Sequence, residues 1–207
     1  FRGAMMAFQD YRVTGKSAWV GLANFAEVLF DGSFWFALFV AMKYAAIALV
    51  LGFPAPILLA ILLQEIPRGR IVYRTLYYLP AVITGVVVIF LWKSFYRPDG
   101  LFNQIVGLFG LAKINWLQDS RFVLLCCVLP TVWAQMGPGC LIYLAALKTI
   151  PDELYEAANI DGAGLVQKIR HVTLPSLKTL ILINFVGAFI GAFQSSSFIL
   201  AMTGGGP

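Results

Sequence analysis

The sequence predicts an all-α, polytopic transmembrane protein. Composition is the first reason: 60% of the residues are apolar and 12% charged, against roughly 25% charged in soluble domains. Residues 34–63, 75–91, 122–147 and 179–202 are apolar runs long enough, or nearly so, for the roughly 20 residues a helix needs to cross the hydrocarbon core. A polar segment, 148–178, is held between the last two runs and connects them. In lipid every backbone polar group must be satisfied within its own segment, so each run is expected to be a helix.

The runs can be justified in order. Before the first, Gly3, Ala4, Met5, Met6 and Ala7 are apolar up to Gln9-Asp10 and read as the tail of an earlier span. The chain starts at Phe1 and stops at Thr203-Gly204-Gly205-Gly206-Pro207, which fits a fragment lacking a helix at each end. Run 34–63 would be about 45 Å long if straight, so a tilt or a bend at Pro54 and Pro56 is expected. Lys43 lies near enough to the outer end of that run to snorkel. Run 75–91 opens with Tyr77-Tyr78-Leu79-Pro80. Between 92 and 121 the stretch 103–111 is amphipathic and suits the membrane interface. Run 122–147 carries Gly137, Gly139, Pro130 and Pro138, a pattern for a bent helix. In run 179–202, Asn184 falls near the inner end, where its amide is expected to satisfy a neighbouring helix.

Several functions are excluded or disfavoured. A net charge of +5 on a membrane chain argues for loop placement and anionic lipid head groups, not nucleic acid. Cys126, Cys127 and Cys140 share one span and read as buried thiols, not as a disulfide framework or metal site. Gly15-Lys16-Ser17 ends like a phosphate-binding loop, but Asp10 stands where that loop requires glycine. No catalytic residue, metal or cofactor is expected in this chain. The four runs hold no Asp or Glu, whereas ion-coupled carriers commonly place ionisable groups there. Arg68, Arg70 and Arg74 crowd the shortest loop, which puts that loop and segment 148–178 in the cytoplasm.

Segment 148–178 reads as two short helices. Asp152 and Glu153 complement the positive end of a helix dipole, Pro151 suits a first turn, and Thr149 with Asp152 has capping-box spacing, so a helix is expected from about Ile150. Gly162 can adopt the left-handed conformation that ends it. A second helix then sets Leu165, Ile169 and Val172 on one stripe and Gln167, Lys168, Arg170 and His171 on the rest. Pro175 opens the next span, where its missing N–H costs least. Ala157, Ala158, Gly162 and Ala163 form a small surface on which another backbone could dock, with Glu156 and Asp161 as charged rim. The alternative is a re-entrant loop that only connects helices.

The two spans beside the loop offer a candidate solute path. Thr131, Gln135 and Pro138 share one helical face at i, i+4 and i+7; Ala188, Gly191, Ala192 and Ser195 form a small-residue face of the same period. Together they could wall a cavity in which Gln135 and Ser195 bond hydroxyl groups. Close helix packing is the competing use of such faces.

The pattern Glu156-Ala157-Ala158, three residues, Gly162, nine residues, Val172-Thr173-Leu174-Pro175 resembles the signature loop of binding-protein-dependent ABC transporter permeases, with Val172 where that pattern carries Ile. Ile150-Pro151-Asp152-Glu153-Leu154-Tyr155, Phe8-Gln9-Asp10-Tyr11, Val20-Gly21-Leu22-Ala23-Asn24-Phe25, Tyr77-Tyr78-Leu79-Pro80 and the terminal Thr203-Gly204-Gly205-Gly206-Pro207 are similar to its carbohydrate-uptake branch. The resemblance runs along essentially the whole chain. It implies one permease domain over 1–207 built on a six-helix core, about four spans of it present here. It also implies a bacterial or archaeal plasma membrane, a second homologous permease subunit, two ATP-binding subunits that hold ATP and Mg, and an extracytoplasmic solute-binding protein. Carried onto this sequence, the residues coupling to the ATPase are Glu156, Ala157, Ala158, Asp161, Gly162 and Ala163, with Leu174 and Pro175 at membrane re-entry. The expected cargo is a sugar or related polyol; a polyamine or compatible solute, and an ATPase-independent carrier or anchor, are the alternatives.

Overall fold

The computed structural model describes residues 2–12, 14–15, 17–65 and 70–206, with side chains throughout except at Arg70, Ile71 and Arg74. Phe1, Lys16, Arg68 and Pro207, and the side chains of Arg70 and Arg74, which entered the readings above, lie outside the described residues. The chain divides into two compact units, Phe1–Lys43 and Tyr44–Pro207.

The first unit contains α1 (Arg2–Met6), a two-residue antiparallel pair β1 (Gln9–Asp10) and β2 (Ala18–Trp19), α2 (Ala23–Phe30) and the start of α3 (Gly32–Gly52). The apolar opening is thus a helix of five residues followed by a hairpin. The Asn24 amide donates to the Ala7 and Gln9 carbonyls at 3.0 and 3.1 Å. Phe8 stacks on Trp19 at 5.7 Å and tilts against Phe25 at 5.2 Å. The motifs at 8–11 and 20–25 are therefore two halves of one small packing unit. Lys43 is exposed on α3, its ammonium 4.4 Å from the Phe39 ring centre, where a cation is attracted by the ring face.

The second unit holds the rest of α3 and then α4 (Pro54–Glu65), α5 (Arg70–Val82), α6 (Gly85–Tyr96), α7 (Leu101–Leu108), α8 (Val123–Leu147), α9 (Asp152–Ile160), α10 (Leu165–Lys168), α11 (Leu174–Phe193) and α12 (Ser196–Thr203). The helix is interrupted at Phe53, immediately before Pro54 and Pro56, two residues that cannot donate a backbone hydrogen bond. Gly32–Glu65 still forms one apolar path of 34 residues.

Two expected spans are corrected. The run 75–91 is not one helix: α5 stops at Val82, α6 restarts at Gly85, and the segments Thr75–Val82 and Gly85–Leu108 meet at 104°. Pro80 removes one donor, and its carbonyl instead accepts the N–H of Ile83 in a tight turn. The run 179–202 is also divided, because α11 ends at Phe193 and Ser195 turns its hydroxyl onto the Gly191 carbonyl. Its helix begins earlier than expected, Leu165–Phe193 forming one apolar path of 29 residues.

α8 is continuous through Pro130 and Pro138 and is the hub of the unit. On one side it joins Ile57, Ala60, Ile61 and Leu63 of α4 through Cys140, Tyr143, Leu144 and Leu147. On another, Cys126, Cys127 and Val128 meet Tyr44, Tyr96 and Met202, with Trp92, Phe102 and Trp116 packed alongside. All three thiols are buried. Gly137 is what lets α5 approach: a Cβ there would collide with the Tyr77 carbonyl, and one at Gly139 would come within 2.9 Å of Pro56. The loop after α7 is tied by buried Asn103, whose amide donates to the Arg97 and Ile114 carbonyls and whose oxygen accepts the Ile114 N–H.

Candidate coupling loop and membrane cavity

Segment 148–178 folds as a helical elbow. α9 begins at Asp152, with Pro151 as the flanking residue and Asp152 and Glu153 in the first turn. The expected Thr149 cap does not form. Its hydroxyl donates to the Ala146 carbonyl at 2.8 Å, because the end of α8 lies close enough to capture it. At the other end Gly162 has φ +73°; the Ala163 N–H bonds the Ala158 carbonyl and the Gly162 N–H bonds the Asn159 carbonyl, the paired closure of a left-handed helix stop. Open space surrounds the Cα of Gly162, so backbone conformation, not crowding, calls for glycine. Gln167 reaches back to accept the Gly164 N–H at 2.8 Å.

Pro175 does not open a new helix. α10 passes into a π-turn, Ile169–Thr173, and then into α11 without a break. The Leu174 N–H reaches five residues back to the Ile169 carbonyl, so the widened turn absorbs a proline that a regular helix would resist. Ser176 donates to the Val172 carbonyl. His171 is exposed, one ring nitrogen 3.0 Å from the Gln167 carbonyl.

Ala157, Ala158, Asp161, Gly162 and Ala163 line a single shallow concavity of about 380 Å³. Glu156 stands exposed outside its lining, and Leu174 and Pro175 line a different groove beside Ile57, Leu58, Arg170 and Lys178. No residue of α9 is buried. Its side-chain hydrogen bond to another element is made by Tyr155, whose hydroxyl lies 3.1 Å from that of buried Thr173.

The seven residues of the expected solute path, Thr131, Gln135, Pro138, Ala188, Gly191, Ala192 and Ser195, all line one cavity of about 540 Å³. α8 supplies one wall, α11 a second and Tyr44, Ala48, Leu49 and Gly52 of α3 a third, while the glycine and alanine positions of α11 keep its wall low. Tyr44, Tyr143 and Asn184 complete the polar lining, and sequence reasoning missed all three. The Tyr44 hydroxyl faces both Ser195 and Thr131. Asn184, expected to bond a neighbouring helix, donates instead to Leu180 of its own helix at 2.9 Å. Polar side chains set inside apolar runs were the available signal. Thr131 and Ser195 donate to their own helix, so their oxygens remain to accept, and the exposed Gln135 amide can both donate and accept. Among the described residues the lining contains no Asp, Glu, Lys, Arg or His. Thr131, Gln135 and Pro138 also border a second cavity of about 330 Å³ beside Ile83 and Gly85 at the broken span.

Fold and loop together define a multi-pass helical membrane protein of the ABC importer permease class, with a polar elbow between two of its spans. The chain belongs to the family of binding-protein-dependent transport system inner membrane components, whose model matches residues 17–207. It is 36% identical over 191 residues to the polygalacturonan/rhamnogalacturonan transport system permease protein YteP of Bacillus subtilis, a match covering 89% of this chain and 59% of that one. Identity is 31% over 200 residues to the trehalose/maltose transport system permease protein MalF of Thermococcus litoralis, covering 96% of this chain and 68% of the relative. Among solved structures, a bacterial ABC transporter involved in the import of the acidic polysaccharide alginate superposes with a TM-score of 0.85 at 28% identity, covering 97% of this chain and 69% of that one.

Proposed function

We propose that this chain forms one half of the membrane path of an ATP-driven importer for a sugar or related polyol, and that segment 148–178 receives the driving motion from a cytoplasmic ATPase. One observation carries the reading: α8 and α11, the helices that wall the cavity, are the same two that hold the elbow. Anything that shifts the elbow acts on both walls.

The lining chemistry supports a polyhydroxylated cargo. Hydroxyl, amide and phenol groups exchange hydrogen bonds with sugar hydroxyls at little cost, whereas a polyamine would need carboxylates that the lining lacks. The cargoes named for the relatives, polygalacturonan or rhamnogalacturonan, trehalose or maltose, and alginate, point the same way. Thr131, Gln135, Asn184 and Ser195 would bond the solute, while Pro138, Ala188, Gly191 and Ala192 shape the wall. At the elbow, Ala157, Ala158, Gly162 and Ala163 would admit another backbone, Glu156 and Asp161 would accept hydrogen bonds at the rim, and Leu174 and Pro175 lead back into the membrane.

The assembly would contain a second homologous permease subunit, two ATP-binding subunits holding ATP and Mg, and a solute-binding protein outside a bacterial or archaeal plasma membrane. Hydrolysis belongs to those partners. Their closure would alter which of two permease states is populated, since a solute with equal affinity for both states shifts nothing. The test is purification of the full-length chain from membranes, with a cross-linker attached through Ala163→Cys. Recovery of an ATP-hydrolysing subunit joined at that position is the expected result. Transport activity in a preparation free of any ATPase would overturn the reading.

A further inference from the structure

Tyr155 sits one residue before Glu156, on the face of α9 turned away from solvent. Its ring packs against the cluster of Ile57, Ile61, Leu147, Ile150 and Leu177, and its hydroxyl meets Thr173, which is 3% exposed, at 3.1 Å. Thr173 is the last residue of the π-turn from which α11 rises. A π-turn is the local geometry at which a helix can most readily change its winding, because its hydrogen bonds already depart from the regular pattern. Apart from Tyr155 and Ala158, every residue of α9 is exposed.

From this arrangement we infer that Tyr155 is a positioning residue: its hydroxyl fastens the elbow helix to the π-turn, so that displacement of α9 is passed sideways into the root of α11 and not only along the chain. The inference rests on the proposed coupling role of segment 148–178. Without the hydroxyl bond, a pull on α9 would reach α11 through the non-directional packing of the Tyr155 ring and through the turn at 161–164, where Gly162 and Gly164 give conformational freedom. With it, the pull acts beside Pro175 and moves the wall that carries Asn184, Ala188, Gly191 and Ala192, with Ser195 just past its end. Either hydroxyl can donate, so removal of one leaves the other without its partner in a poorly hydrated place.

The assembled full-length transporter in lipid tests this without knowledge of the solute. A Ser195→Cys reporter is labelled with a small maleimide in the nucleotide-free complex and after trapping with ATP and vanadate, and ATP hydrolysis is measured on the same preparation. In Tyr155→Phe, which keeps the ring, hydrolysis continues while the change in labelling rate on trapping shrinks about three- to tenfold, the scale of one hydrogen bond. Thr173→Val gives the same loss, the double variant adds nothing to either single one, and Thr173→Ser restores the response. An undiminished response in both Tyr155→Phe and Thr173→Val, or strictly additive losses in the pair, overturns the inference. The Ala163→Cys cross-link separates the two claims: cross-linking retained with an undiminished response removes only the lateral link, whereas cross-linking absent in the wild-type background removes the coupling role itself.

Discussion

The elbow and the cavity are built by opposite means. In 148–178 the decisive geometry is local: one left-handed glycine, a side chain returning three residues to cap a helix, and a wide turn ahead of a proline. The cavity is assembled from α3, α8 and α11, whose contributing residues Tyr44, Gln135 and Ala192 are separated by most of the chain. A local element keeps its shape when its surroundings move, which is what a docking surface requires. A non-local cavity changes shape whenever its walls move against one another, and that is how access can alternate.

The strongest attempt to break this contrast is Gly162→Asp. With φ at +73° and open space around it, the position punishes a side chain through backbone strain of about 1–3 kcal/mol and through loss of close approach. The expected outcome is ATP-dependent uptake at background level with normal membrane insertion; uptake like the parent's would contradict the elbow's role. Gly137→Ala attacks the non-local half, since its Cβ would meet the Tyr77 carbonyl. Overpacking of this kind costs about 1–3 kcal/mol, so thermal unfolding in detergent should come several degrees earlier while segment 148–178 keeps its protease resistance. Gln135→Leu should weaken solute affinity roughly tenfold, as expected when a hydrogen-bonding site loses its polar group, with ATP hydrolysis unaltered; titration of purified transporter with solute reads the change.

The smallest effect tests a site in neither region. Arg121 beside Asp119 holds that carboxyl well below its usual range, at about 2, with the ion pair at 2.7 Å. A depressed carboxylate contributes stability above its unfolded value near 4 and loses it as the pH falls toward 2. Between pH 7 and 5 the turn before α8 should therefore keep its structure, and a carboxyl titration followed by NMR should find a midpoint near 2. A midpoint near 4 would show that the pair does not form in solution.

Legibility followed the same division. The left-handed stop at Gly162 and the interruption at Pro54 could be read from the sequence because each depends on what one residue's backbone can do. Thr149 was misjudged because its hydroxyl can serve either the helix ahead or the one behind, and it bonds back to the Ala146 carbonyl at the end of α8. The break at Ile83 and Thr84 lies three residues beyond Pro80, whose carbonyl accepts the Ile83 N–H in the turn. The seven residues that line the cavity from α8 and from the end of α11 were legible as two faces because they recur at helical spacing. Tyr44 was not, since it reaches the cavity from a third helix, and Asn184 was misassigned because its bond to Leu180 looks inward along its own helix.

The π-turn at Ile169–Thr173 also fixes an angle. Each residue of an α-helix turns the chain by about 100°, so the additional residue held in a widened turn sets the phase of everything after it. Had the helix wound regularly from Leu165, the row containing Asn184, Ala188 and Gly191 would point roughly a quarter-turn away. Deleting one residue from this segment would leave composition and hydropathy almost untouched, yet it would swing a wall of the cavity out of the cavity.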